Sequence, residues 1–130
     1  MASLRTHARI ARPADEVWKV VSDAAGISGW FPGIEQATVE GGTRTCTLAG
    51  GMTLVEDVVT VDDELRRFQY RITDGIPVEH HLGTVDVLDD GDGALVVYST
   101  EVTPDSLADL MRPAIEGGVQ GLKAKLESTG

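Results

Sequence analysis

DVLDDGDGALVVYSTEVTPDSLADLMRPAIEGGVQGLKAKLES, Asp86 to Ser128, is the stretch on which the fold turns. Its first half alternates apolar and polar residues around Asp89-Asp90-Gly91-Asp92-Gly93, the chemistry of a turn between two strands. From Pro104 the apolar period changes from two to that of a helix. Leu107, Leu110, Met111, Ala114, Ile115, Gly118, Leu122 and Lys125/Leu126 then recur at i, i+3, i+4, i+7, the pattern of a one-faced helix running from about Pro104 to Ser128. A curved sheet wrapped on one such helix leaves a space between them, and function is expected in that space.

Upstream, the same alternation continues back to Ile34. Strands are expected at approximately 34–40, 43–49, 52–61, 67–74, 78–89 and 94–102, punctuated by Gly41-Gly42, Gly50-Gly51, Asp62-Asp63-Glu64 and Asp74-Gly75. Ser3 to Ala11 sets Leu4, Thr6, Ala8 and Ile10 against Arg5, His7 and Arg9, a half-buried strand. Pro13 opens a helix, where its missing N–H costs nothing, with Asp15 and Glu16 at the positive end. Val17, Val20, Val21 and Ala24 form its apolar stripe and Gly26 ends it; a second short turn spans about Ile27 to Phe31. The expected class is α+β: a seven-stranded curved antiparallel sheet, two short helices after the first strand and a long C-terminal helix, in one domain covering 1–130.

Composition narrows the functions. The chain has 130 residues, 42% of them hydrophobic, enough for a core. No apolar run approaches the roughly 20 residues of a membrane span, and Met1-Ala2-Ser3-Leu4-Arg5 lacks the apolar centre of an export signal. Cys46 is the single cysteine, which excludes an internal disulfide and a multi-cysteine metal cluster; a cytoplasmic location is expected. With 11 Lys and Arg against 21 Asp and Glu, the net charge of −10 argues against nucleic acid and anionic membrane surfaces as partners.

Hairpin arithmetic assigns faces, because cross-strand partners share one. A two-residue Gly41-Gly42 turn sets Val39 opposite Arg44 and Ala37 opposite Cys46. A two-residue Gly50-Gly51 turn sets Cys46 opposite Val55 and Arg44 opposite Asp57. Val61 opposite Phe68 brings Val59 to Tyr70 and Asp57 to Ile72. Asp89 opposite Ala94 brings Val87 to Val96, Val85 to Tyr98 and His81 to Val102. The expected concave face is then Val39, Cys46, Leu48, Val55, Val59, Val61, Phe68, Tyr70, Ile72, Val85, Val87, Val96 and Tyr98. Thr38, Thr45, Thr47, Glu56, Thr60, Arg67, Gln69 and Arg71 fall on the opposite face. Leu54, Val58, Leu88 and Leu95 also fall there, and fit it poorly; a bulge is one explanation.

A polar minority is left on the inner wall: Arg44, Asp57 and His81 at roughly one level, with Tyr70 and Tyr98 nearby. Two readings stand. Arg44 and Asp57 form a structural ion pair with His81 a satisfied core residue, or the set orients a polar ligand head, with His81 moving a proton near neutral pH. A one-residue slip would exchange His81 for His80. Gly117, Gly118 and Gly121 each cost about 1 kcal/mol in a helix interior, a cost explained either by close packing or a bend, or by room left for a ligand.

Other signals do not mature into sites. Asp90, Asp92 and Glu101 match part of a calcium-loop template, but Ala94 and Leu95 stand where it needs an oxygen ligand and a glycine. His80 and His81 are adjacent in a strand, point to opposite faces and do not ligate one ion. No cofactor or metal is implied. Trp30-Phe31-Pro32 is either core or the gate of a ligand site.

The order of elements resembles the helix-grip fold of the START and birch-pollen-allergen superfamily, also called SRPBCC. Ile10-Ala11-Arg12-Pro13-Ala14-Asp15-Glu16-Val17-Trp18, Trp30-Phe31-Pro32 and Arg66-Arg67-Phe68-Gln69-Tyr70-Arg71-Ile72 carry the likeness. Ile76 to Val85 with Asp90-Gly91-Asp92-Gly93 is similar to the bacterial polyketide cyclase/dehydrase branch. That branch often has Trp in its last strand, where this chain has Tyr98. The resemblance implies a binding protein for a small hydrophobic or aromatic ligand, lipid- or polyketide-like, held between sheet and helix. Trp30, Phe31, Val59, Tyr70, Val85, Met111 and Ile115 are its candidate contacts, and Arg44, Asp57, His81 and Tyr98 its candidate catalytic or anchoring groups. The alternative is a cyclase, aromatase or dehydratase acting on a poly-keto substrate by acid/base catalysis in the same cavity.

Overall fold

In the computed structural model, which describes residues 1–128, β1 (Ala2–Ile10) leads into α1 (Ala14–Ser22) and a 3-10 segment, Ala24–Gly29. Six strands follow: β2 (Ile34–Glu40), β3 (Thr43–Leu48), β4 (Thr53–Asp62), β5 (Arg67–Asp74), β6 (His80–Asp90) and β7 (Gly93–Thr103). A short 3-10 turn, Asp105–Leu107, then enters α2 (Ala108–Glu127). The strands form one antiparallel sheet in the order β1-β7-β6-β5-β4-β3-β2. This is the expected architecture, with the final helix starting a turn later because Asp105–Leu107 is 3-10.

Among the described residues, no helix is long and apolar enough to cross a membrane. The buried stripe of α2 is Ala108, Met111, Ile115, Gly118, Val119, Leu122 and Leu126. Val119 joins the expected set, whereas Leu110 is 57% exposed. Of the three helix glycines, two serve packing, against the segment Trp30–Pro32. A Cβ on Gly118 would lie 2.7 Å from the Phe31 ring, and one on Gly121 would lie 2.1 Å from the Trp30 carbonyl oxygen. Gly117 has nothing within 4 Å of that position.

Register decides which residues enter the core. The β2–β3 and β6–β7 pairings fall as the turns dictate: Val39 opposite Arg44, Ala37 opposite Cys46, Val85 opposite Tyr98 and His81 opposite Val102. The β3–β4 pairing does not. Leu48 N–H donates to the Met52 carbonyl and Gly51 N–H to the Leu48 carbonyl, so the loop is the three residues Ala49-Gly50-Gly51 instead of two. Gly50 and Gly51 both take positive φ, 93° and 88°, which only glycine adopts freely. One extra loop residue inverts β4: Arg44 stands opposite Glu56, Cys46 opposite Leu54, and Asp57 opposite Thr43.

Further along β4, a bulge at Val59 restores Val61 opposite Phe68, while Tyr70 faces Val58 and not Val59. The inverted β4 explains Leu54, which is buried, and Val58, which packs on the core. Five of the residues expected on the inner wall are not buried there: Leu48 and Val55 are half-buried, and Val39, Val59 and Val61 are exposed. Glu56, expected outside, is buried.

Candidate functional site

β5 and β6 are paired only from Arg67↔Asp86 to Tyr70↔Gly83. Beyond Tyr70 the backbone ladder stops, and the amide of Ile72 donates instead to His81 Nδ1 at 3.0 Å. The opened sheet and α2 enclose a cavity of about 380 Å³. Leu110, Met111, Ala114 and Ile115 of α2 form one wall. Leu54, Ile72 and Ile76 line it from the sheet side, and Phe31, Pro32 and Ile34 from the segment after the 3-10 helix. Met52 and Leu110 also border it and are more than half exposed, so the cavity reaches the surface between the Ala49–Met52 loop and α2.

Its polar groups are Glu56, Tyr70, His81, Tyr98 and Thr100, one or two from each of β4 to β7 and all buried. Tyr70 and Tyr98 share a 2.5 Å hydrogen bond between their hydroxyls. Their rings meet edge to face, and the Phe31 ring meets Tyr98 in the same way, with centroids 6.4 Å apart. Tyr70 can lie across β6 because its partner there is Gly83: a Cβ at that position would be 2.4 Å from the ring.

Behind this layer, Arg44 is 2% exposed and donates from Nε to Glu56 Oε1 at 2.7 Å and from Nη1 to the Ala24 carbonyl at 3.1 Å. Its guanidinium lies over the Phe68 and Tyr70 rings, 5.3 and 5.4 Å from their centroids. The Cys46 thiol approaches the same Glu56 oxygen. Arg44 Nη2, Trp30 Nε1 and Thr100 Oγ1 are buried without a protein partner.

Burial sets the protonation of this group. It pushes the Glu56 carboxyl above the usual range, and Arg44 draws it only part of the way back. Burial also works against the Arg44 charge, but Glu56 outweighs it and holds the guanidinium firmly protonated. Burial raises the Cys46 thiol to about 11 and both tyrosines above their ordinary value. His81 moves the other way: burial, with His80 and Arg71 nearby, lowers it to about 4. Since its Nδ1 accepts the Ile72 amide, neutral His81 carries its proton on Nε2.

Of the expected residues, the structure brings Phe31, Tyr70, His81, Tyr98, Met111 and Ile115 to the cavity wall. Trp30 and Val85 are core residues that do not line the cavity, and Arg44 reaches it only through Glu56. Two expectations are corrected. Asp57 is exposed on the outer face and Glu56 takes its place, because the β3–β4 loop is three residues long. Val59, at the bulge, is 45% exposed and is no part of the cavity. Sequence reading missed Glu56 and Thr100; the misfit of Leu54 and Val58 on the outer face was the available signal for Glu56.

Residues 1–127 match the family described as polyketide cyclase / dehydrase and lipid transport. The chain belongs to this family. Solved structures with the same fold include a protein from Bacillus thuringiensis, 24% identical, with TM-score 0.90 over 97% of this chain and 99% of that one. A START superfamily protein from Mycobacterium smegmatis is 13% identical, with TM-score 0.83 over 98% and 99% of the two chains. Norcoclaurine synthase from Thalictrum flavum, in complex with dopamine and hydroxybenzaldehyde, is 20% identical, with TM-score 0.80 over 99% and 88%. No curated protein matches the chain. Membership of the polyketide cyclase / dehydrase and lipid transport family and the helix-grip fold are both consistent with a ligand held in the cavity between α2 and the sheet.

Proposed function

We propose that the protein binds a small, largely apolar or aromatic molecule between α2 and the sheet. One observation carries the reading: a cavity of about 380 Å³ whose walls are aliphatic and aromatic and whose polar groups gather on the strands. That combination is typical of small-molecule sites, in which apolar surface supplies affinity and a few polar groups fix orientation. The mouth at Met52 and Leu110 gives such a molecule a way in. Displacement of a neutral fluorescent probe such as Nile red, checked by native mass spectrometry, tests this. The expected result is saturable binding at one site per chain, weakened by Ile115→Trp, which fills the cavity from α2. Absence of binding, or binding indifferent to that substitution, refutes the proposal.

A catalytic reading, cyclisation or dehydration of a poly-keto chain, is favoured by one observation. Glu56 is a carboxyl at the cavity wall whose proton affinity burial raises above that of an ordinary carboxylate, the direction an acid/base group needs. On that reading Glu56→Gln, assayed under conditions where its circular dichroism shows it folded, abolishes turnover of a poly-keto substrate while binding persists; equal loss of both in the folded variant favours the carrier.

A further inference from the structure

The polar groups of the cavity do not balance. His81 spends Nδ1 on the Ile72 amide, which leaves Nε2 as its one N–H donor on a residue that lines the cavity. Thr100, 2% exposed, has a hydroxyl with no partner at all. Tyr70 and Tyr98 satisfy one another through a single hydrogen bond, so one of the two phenolic protons is still to be donated. Against these three donors stands one acceptor group, the Glu56 carboxylate, already engaged at Oε1 by Arg44 and Cys46. Buried donors without acceptors are costly, and water or a ligand must supply what the protein lacks.

The same wall holds no cation. Neither lysine nor arginine lines the cavity, and Arg44 sits behind the first layer with its charge matched to Glu56. Burying a carboxylate here would require desolvating it next to Glu56 with nothing of opposite sign to receive it.

His81 and Thr100 lie on adjacent strands with Val102 and Gly83 as their direct partners, which makes them diagonal neighbours on one face. We infer that His81 and Thr100 form a subsite for an uncharged acceptor oxygen, so that the ligand is a neutral carbonyl-bearing molecule with an apolar body, and carboxylates such as free fatty acids are rejected. The inference rests on the cavity being the binding site, as proposed above, and adds the chemistry of what it selects. His81 approaches from β6 with a fixed N–H, held in one tautomer by the Ile72 amide. Thr100 approaches from β7 with a rotatable O–H.

Three probes of nearly the same shape separate the two claims: 9-fluorenone, fluorene and 9-fluorenecarboxylate, titrated calorimetrically into the intact chain. The expected order is fluorenone about tenfold tighter than fluorene, the difference two neutral hydrogen bonds make, with the carboxylate weakest. The carbonyl stretch of bound fluorenone should move to lower wavenumber than in cyclohexane. Thr100→Val removes a hydroxyl that has no partner in the fold, and His81→Asn keeps an oxygen near the Nδ1 position while withdrawing the Nε2 donor. Each should cut the ketone's advantage to about threefold and leave fluorene unchanged. Fluorene binding as tightly as fluorenone overturns the subsite and leaves cavity binding standing. So does a carboxylate that binds best, or a ketone preference untouched by both substitutions. The infrared shift in the unsubstituted protein decides the matter if a variant fails to fold: an unshifted carbonyl refutes the subsite. Failure of all three probes to bind overturns both readings.

Discussion

Removing the charge of Glu56 while keeping its shape should be among the most damaging conservative changes in this protein. Glu56→Gln retains an acceptor for Arg44 Nε but leaves the guanidinium, 2% exposed, without a counter-charge. Two unit charges about 4 Å apart in a medium of effective dielectric near 20 attract by about 4 kcal/mol. Breaking a buried pair by deleting one partner costs about 3–5 kcal/mol. At a urea m-value of about 1.5 kcal/mol/M this moves the unfolding midpoint down by roughly 2 to 3 M. Arg44→Met should be milder and differently dependent on pH. Without Arg44, burial alone acts on Glu56, and the carboxyl can escape its charge by taking up a proton, which Arg44 cannot do by losing one. A carboxyl whose folded pKa lies above its unfolded value binds more protons when folded. The Arg44→Met variant therefore gains stability as pH falls toward the unfolded carboxylate pKa and loses it as pH rises through the folded one. The double variant Arg44→Met/Glu56→Leu, with neither charge, should recover most of the loss. Urea titrations from pH 5 to 8 measure all four proteins. A Glu56→Gln cost below about 1 kcal/mol, typical of an exposed pair, would refute the account of a desolvated ion pair.

Two further outcomes follow from the geometry. His81 has its folded pKa near 4, below the ordinary 6.5, so the unfolded chain binds the extra proton first and stability is lost as pH falls from 6.5 to 4. The slope amounts to about 3 kcal/mol across that window; His81→Asn should remove this part of the acid sensitivity, read by urea midpoints at pH 4.5 and 7. In α2, Gly117→Ala meets no obstacle and should stabilise by about 0.5–1 kcal/mol, whereas Gly121→Ala drives a methyl against the Trp30 carbonyl and should lower the thermal midpoint.

What sequence could and could not reveal divides at one loop. Every pairing counted from Gly41-Gly42 and from Asp89 opposite Ala94 holds, including the one that places His81 inside and His80 outside; the second loop closes one pair further, at Asp90 opposite Gly93, which keeps that register. Ala49-Gly50-Gly51-Met52 is compatible with two or three loop residues, and nothing local distinguishes them. Because a strand has period two, that ambiguity exchanged Asp57 for Glu56 and Val55 for Leu54. Val61 opposite Phe68, set at the turn between β4 and β5, holds, but the bulge at Val59 shifts the pairs counted from it, so Tyr70 meets Val58 and Ile72 meets Glu56. Thr100 was within reach of the same count, since Asp89 opposite Ala94 sets Gly83 opposite Thr100 on the face of His81 and Tyr98; it was passed over because only apolar and charged residues were followed onto that wall.

Gly83 also governs how deep the chamber is. Because it leaves a seat into which Tyr70 reclines, the phenol forms part of the lining instead of projecting across the space. A methyl at position 83 would stand 2.4 Å from that ring and push it out of its seat, which changes the room beside it. A single codon thus adjusts the space left for a guest, and changing that space need not touch any residue that grips it.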